Sequence, residues 1–293
     1  CENLVARTLL ASAAGQRILR EMTFFNRIFR LCWIGVCALT MLAQTRLVLA
    51  MPLVPTWLDG YVFCSTVFAY GFTHPDRRLS APAWLAGATG GFCYLLPILQ
   101  SGAAAAWQWM AWIPLLLWLG YYGLQRPGTS GLRGVPVAKP VVVSLTWAIV
   151  TVLMPLPPER WAEALFVFAG RACFIFGLAL AYDLSDIVYD KRYGLPTLAG
   201  RLGARSTFRL IDLAFGISVV CYAVNAWRGV FAPGIALALA MSLLLSAAWL
   251  RYLLRETPGE GRQKILIDAL MPVQFLLVLL MAGIHFLLTL LAN

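Results

Sequence analysis

Three aspartates, Asp183, Asp186 and Asp190, close a long apolar segment in the run A-Y-D-L-S-D-I-V-Y-D-K-R-Y-G-L-P-T-L-A-G-R-L-G. Charge beside a hydrocarbon-spanning segment is expensive, so carboxylates kept there need a partner or a task. At helical spacing, residues three and four apart share a face, which lets the three side chains point at one place near the membrane boundary. Hard carboxylate oxygens so arranged suit a divalent cation, Mg²⁺ among them. The plainer alternative is a solvated helix end whose acids balance Lys191 and Arg192.

The rest of the chain has to carry these residues to a membrane surface. Of its 293 residues 61% are hydrophobic and 12% charged, and a mean hydropathy of +0.77 lies far outside the composition of a soluble domain. With roughly 20 apolar residues per crossing, spans are expected near 29–50, 57–73, 82–100, 104–124, 138–156, 161–182, 208–226, 230–252 and 264–291. The fold class that follows is all-α, a polytopic transmembrane bundle of about nine helices. No linker or fixed-period repeat divides it, so residues 1–293 are expected to form one domain. Residues 1–26, with Arg7, Arg17 and Arg20 among apolar neighbours, are expected to form an interfacial amphipathic helix, and no cleavable signal peptide is expected.

Basic residues report the orientation, because short cytoplasmic loops are enriched in Lys and Arg. With the N-terminus cytoplasmic and the C-terminus outside, 19 of the 23 basic residues fall on the cytoplasmic side. Arg46, Arg160 and Arg228 fall outside, and Arg171 lies within the sixth span. The net charge of +10 is thereby accounted for by topology and by anionic lipid headgroups, with no nucleic acid needed. The cytoplasmic connections at 74–81, 125–137, 183–206 and 253–263 are the longer and more polar ones, so chemistry is expected there.

Other features read as structural. The seven cysteines form no C-x-x-C and no ligand pairing with His74 or His285, which makes them packing residues. Pro97, Pro114, Pro155 and Pro272 should bend their spans, and Gly87 with Gly91 should allow close helix packing. Arg171 is expected to satisfy a carboxylate or a backbone carbonyl, while Asp268 and the Arg209 and Asp212 pair should be structural ion pairs. Trp57, Trp107, Trp109, Trp161 and Trp227 should form an interfacial belt.

The segment 182–203 resembles the second aspartate-rich motif of the UbiA superfamily of intramembrane prenyltransferases. The matching elements are Asp186, Asp190, Lys191, Gly194, Thr197, Leu198, Arg201, Leu202 and Gly203. The stretch Y-Y-G-L-Q-R from Tyr121 to Arg126 is similar to the family's tyrosine-then-basic signature. G-V-P-V-A-K-P before the fifth span and K-I-L-I-D-A-L-M-P-V-Q at 264–274 also resemble family segments, the latter those of a divergent bacterial branch, which implies a bacterial inner membrane. In one place the chain departs from the pattern. Where the main branches carry N-x-x-x-D-x-x-x-D at the end of the second span, it has A-Y-G-F-T-H-P-D-R-R, with Asp76 as the single carboxylate and His74 beside it.

The resemblance implies a substrate as well as a fold. An isoprenoid diphosphate is an anion on an oily tail, so its head calls for hard cations and Arg or Lys donors and its tail for an apolar groove. On this reading Asp186 and Asp190 are catalytic, and Asp183, Asp186, Asp190 and Asp76 hold Mg²⁺. Arg126, Lys191, Arg192, Arg77, Arg78, Arg201 and Tyr121 contact the diphosphate. Departure of the diphosphate leaves an allylic cation, which an aromatic or electron-rich acceptor attacks. Two other readings stay open. One is a non-catalytic relative serving as a structural or lipid- and quinone-binding subunit of a membrane complex. The other is an ion-coupled transporter, disfavoured because the carboxylates lie at the membrane boundary rather than the midplane.

Overall fold

The computed structural model describes residues 13–72, 80–102, 105–123, 135–187, 190, 196–255 and 260–292. Among the described residues all regular structure is helical, and it falls into nine units. They are α1 (Ala13–Val48), α2 (Trp57–Phe72), α3 (Ser80–Ser101), α4 (Ala106–Met110 with Trp112–Trp118 and Leu119–Gly123), α5 (Ala138–Ala148 with Ile149–Leu153), α6 (Trp161–Ser185), α7 (Leu198–Trp227), α8 (Pro233–Leu253) and α9 (Glu260–Asp268 with Leu270–Ala292). These are the nine expected spans. Six of the helices are long and apolar enough to cross a bilayer, and the protein is an integral, multi-pass membrane protein. The remaining three units, α2, α4 and α5, are the shorter or interrupted ones, and they surround the cavities described below.

Residues 13–26 run into α1 without a break. Buried side chains of α1, α5, α6, α7, α8 and α9 make one continuous apolar core, with α2 and α4 on its flank. Helix α3 packs on α2 through small residues. A Cβ at Gly87 would lie 2.7 Å from the Phe68 ring, and one at Gly90 would lie 3.3 Å from Cys64 Cβ. At Gly91 nothing stands within 4 Å. The small-residue pair that faces α2 is therefore Gly87 with Gly90, not Gly87 with Gly91.

Interruptions in the helices have local causes. Ala111 breaks α4 just before Pro114, and both α4 and α5 end in a π turn, Leu119–Gly123 and Ile149–Leu153, the second followed by Pro155. Such turns add a residue to the helix and re-aim side chains, often at functional sites. Pro97 is carried inside α3, and Pro272 lies just past the break in α9. Thr197 caps α7 by accepting a hydrogen bond from Gly200 N at 3.2 Å. Gly203 then kinks the same helix at φ 74°, ψ 166°, a conformation essentially reserved for glycine. Two residues of the 182–203 motif thus serve backbone geometry.

Polar groups within the bilayer are paired across helices. Arg171, nearly fully buried, donates to Met41 O at 3.0 Å, Thr151 Oγ1 at 3.3 Å and Gln44 Oε1 at 2.6 Å, so a backbone carbonyl and two neutral side chains accept from its two terminal nitrogens. Its buried Nε has no hydrogen-bond partner among the described residues. Asp212 pairs with Arg251 of α8, not with Arg209 of its own helix. Asp268 is buried, enters no ion pair among the described residues, and its Oδ1 lacks a hydrogen-bond partner there. At the end of the bundle away from the aspartates, Arg46 grips Asp59 at 2.8 Å and Arg160 grips Glu163 at 2.8 Å. Cys32, Cys37, Cys64, Cys93, Cys173 and Cys221 are free thiols. Trp57, Trp109 and Trp227 are exposed, whereas Trp107 is half-buried against Tyr61 and Tyr94.

Candidate active site

The three aspartates sit where α6 runs out. Asp186 N donates to Tyr182 O at 3.0 Å and Asp190 N donates to Asp186 O at 2.8 Å, so the helical ladder continues past the regular end of α6. Spacing by four puts Tyr182, Asp186 and Asp190 on one face. Asp183 is completely buried one residue round, and Asp190 is buried as well.

Two lysines from other helices meet these carboxylates. Lys139 Nζ, at the start of α5, lies 2.5 Å from Asp183 Oδ1, and Lys264 Nζ of α9 lies 2.6 Å from Asp186 Oδ1. Such pairing is what makes charge tolerable here, since an isolated buried carboxylate would cost several kcal/mol. Among the described residues Asp190 has no lysine of its own, and its Oδ2 and that of Asp183 are buried without a hydrogen-bond partner there. Burial pushes the Asp190 carboxyl above the usual carboxylate range, the charges of Asp186 and Asp183 push the same way, and Lys139 and Lys264 oppose them.

The sequence-based site is thus brought together in part. Asp183, Asp186 and Asp190 share one electrostatic cluster. Tyr121 is buried in the π turn of α4 and lines the cavity beside Lys139. Arg201 is exposed on the first turn of α7 and enters no ion pair among the described residues. Asp76, Arg77, Arg78, Arg126, Lys191, Arg192 and His74 lie outside the described residues. Sequence reasoning missed Lys139 and Lys264 as site residues. Both stand in the two stretches already noted, G-V-P-V-A-K-P and K-I-L-I-D-A-L-M-P-V-Q, each as the last cation before an apolar run, and that position was the available signal.

Below the ionic cluster the bundle is hollow. A chamber of about 190 Å³ is lined by Tyr70, Trp118, Tyr121, Lys139, Trp147 and Tyr182. A second, of about 140 Å³, continues it deeper, sharing Ala69, Tyr70, Trp118, Thr146 and Trp147. Trp147 Nε1 donates to Tyr70 OH at 3.4 Å across the boundary between the two. A third space of about 510 Å³, between α2, α3 and α4, borders the second through Tyr61, Ser65, Phe68 and Leu115. The walls are mostly aromatic and aliphatic, the lining expected of a site for an oily ligand with few polar contacts.

The oxygens offered suit Mg²⁺ in kind. Among the described residues no three acidic, His or Cys side chains form a cage for an ion. Mg²⁺ rarely asks for one, being held by one or two carboxylates with water and substrate phosphate. The unpartnered oxygens of Asp183 and Asp190 are donors of that type.

The sequence model of the UbiA prenyltransferase family matches residues 134–270, the stretch that contains Lys139, all three aspartates and Lys264. The matched segment, just under half of the chain, is similar to the UbiA prenyltransferase family. The chain is also similar to glycinol 4-dimethylallyltransferase of Glycine max, 26% identical over 164 residues, which cover 50% of this chain and 36% of that protein. The matched part of the chain therefore spans little more than a third of the length of this relative. The UbiA match begins after α4, so the region of the departed first motif, near Asp76, lies outside it.

Proposed function

We propose that the protein is a UbiA-type prenyltransferase, moving an isoprenoid group from an allylic diphosphate to an aromatic or otherwise electron-rich acceptor. The observation that carries this reading is the position of Lys139, which holds Asp183 of the ionic cluster and also lines the apolar chamber. A ligand with its anionic head at the cluster and its tail among Tyr70, Trp118 and Trp147 would match both surroundings at once. The Glycine max relative, a dimethylallyltransferase by name, is in keeping with such a substrate.

In the reaction the C–O bond of the allylic diphosphate breaks, and the diphosphate leaves with the electron pair. The acceptor forms the new bond to the allylic carbon and then loses a proton. The residues of this chain have three tasks. Lys139 and Lys264, with Arg126, Lys191 and Arg192 of the matching sequence motifs, offset the charge on the leaving group. Asp183, Asp186 and Asp190 would hold Mg²⁺, which when bound supplies further positive charge to the diphosphate. Aromatic and aliphatic walls exclude the water that would otherwise trap the cation. The cluster is assigned to a cytoplasmic face, with the N-terminus on that side, from the bias of basic residues.

The test is incubation of purified protein with allylic diphosphates, Mg²⁺ and a panel of phenolic acceptors, comparing wild type with Asp186→Ala and Asp190→Ala. Loss of diphosphate release in both variants is expected. Equal release from all three proteins would overturn the assignment. A second reading, a non-catalytic subunit that binds lipid or quinone, is favoured by one observation: Lys139 and Lys264 already neutralise two of the three carboxylates. It predicts no release from any of the proteins, with the hydrophobic ligand still bound.

A further inference from the structure

We propose that Tyr61 is the floor of the isoprenoid chamber and that it restricts the site to short allylic diphosphates, of about farnesyl length or below. The inference rests on the prenyltransferase reading and adds a substrate class to it.

The argument starts from the wall of α2. Tyr61, Ser65 and Phe68 fall at i, i+4 and i+7, which places them on one stripe of the helix. All three line both the inner chamber and the space between α3 and α4, so the stripe, with Leu115 opposite, is the partition between them. Phe68 is fixed in it, its ring seated against Gly87 and packed on Phe72, Trp84 and Trp118 at centroid distances of 5.5, 5.7 and 6.1 Å. Tyr70 marks the top of the inner chamber and Tyr61 its lower end. The nine residue-to-residue steps from Tyr61 to Tyr70 rise about 14 Å at 1.5 Å each. An extended farnesyl chain is about that long, and a polyprenyl chain is several times longer.

The floor is held from beneath. The Tyr61 ring lies 5.9 Å from Tyr94 and 5.5 Å from Trp107, and those two are 5.9 Å apart edge to face. Gln108, fully buried, donates to Tyr94 O at 2.5 Å and accepts from Ala105 N at 2.6 Å, while Tyr94 OH donates to Gln108 O at 3.1 Å. Three rings packed against one another at tilted and edge-to-face angles and keyed by a buried amide cannot swing aside singly, because displacing one unseats the others. A chain that outruns the chamber meets this block instead of lipid.

Length selection is read by binding. Full-length protein in nanodiscs, with Mg²⁺, is challenged with dimethylallyl, geranyl, farnesyl, geranylgeranyl and decaprenyl diphosphate in competition with labelled farnesyl diphosphate. Wild type is expected to bind chains up to farnesyl and to bind decaprenyl diphosphate weaker by on the order of tenfold or more, the mark of a steric exclusion. Tyr61→Ala is expected to move the limit to longer chains. Ser65→Leu, which fills the chamber half-way down the same stripe, is expected to move it to shorter ones. Equal affinity for farnesyl and decaprenyl diphosphate in wild type, or a length profile unchanged by both substitutions, overturns the floor while leaving the prenyltransferase reading in place. Failure of every diphosphate to bind overturns both.

Discussion

Lys139 Nζ stands 2.5 Å from Asp183 Oδ1, tying the first turn of α5 to the last turn of α6. Asp183 is fully buried, whereas the lysine is about one-third exposed. The pair therefore joins the interior of the bundle to its polar end, and what happens there bears on both stability and ligand binding.

Removing the cation alone leaves a buried carboxylate without its partner. Lys139→Ala is expected to destabilise the protein by about 3 kcal/mol, and Lys139→Ala combined with Asp183→Leu by clearly less than the sum of the two single changes. Thermal unfolding of the four proteins in one detergent measures the coupling. Additive losses would mean that the contact contributes nothing to the fold.

Metal dependence should centre on Asp190, the carboxylate of the cluster that no lysine pairs with among the described residues. Calorimetric titration of Mg²⁺ in the presence of a diphosphate analogue is expected to show binding in wild type and none in Asp190→Ala, and chelation should lower affinity for the analogue. An unchanged isotherm in Asp190→Ala would remove this residue from the ligand set.

Because burial raises the Asp190 carboxyl above the ordinary range, the folded state holds its proton to higher pH than the unfolded state does. Between the two values the native form binds more protons, so the Asp190 contribution to metal-free stability is present at acid pH. It is lost as pH rises from the ordinary carboxylate value through the raised one. Asp190→Asn is expected to flatten that slope in melting curves taken from acidic to neutral pH. Persistence of the full slope in the variant would assign it to another group.

Gly203 holds φ 74° and ψ 166° with nothing within 4 Å of where a Cβ would stand. Gly203→Ala therefore meets no clash, only backbone strain, and is expected to cost about 2 kcal/mol. Gly216→Ala, also with nothing within 4 Å but in regular helix, is expected to be neutral or slightly stabilising. Equal melting temperatures for the two variants would refute the kink as a source of strain.

Arg171 reaches three acceptors on two other helices, α1 and α5. Arg171→Ala leaves Gln44 and Thr151 short of a donor inside the bilayer and is expected to cost about 3 kcal/mol, read as a loss of unfolding temperature and of folded yield. Retention of wild-type stability would mean that these groups find other partners at no cost.

The sequence by itself determined the nine helical units, the apolar character of the bundle and the collection of three carboxylates at the end of α6. Hydropathy, proline, capping and the four-residue spacing of Asp186 and Asp190 are local quantities, complete within about one span each. The resemblance of 182–203 to the UbiA motif was legible too, whereas the cap made by Thr197 and the kink at Gly203 came from the structure. Partner choice was decided only by the tertiary structure. Asp183 meets a lysine 44 positions away, Asp186 meets Lys264 of another helix, and Asp212 takes Arg251 in preference to Arg209 on its own surface. The chambers are likewise made by α2, α3, α4, α5 and α6 together, with Tyr61 closed off by Tyr94 and Trp107 from two further segments. Contacts between helices depend on which faces turn toward each other and at what depth, and no single segment of a chain carries that information.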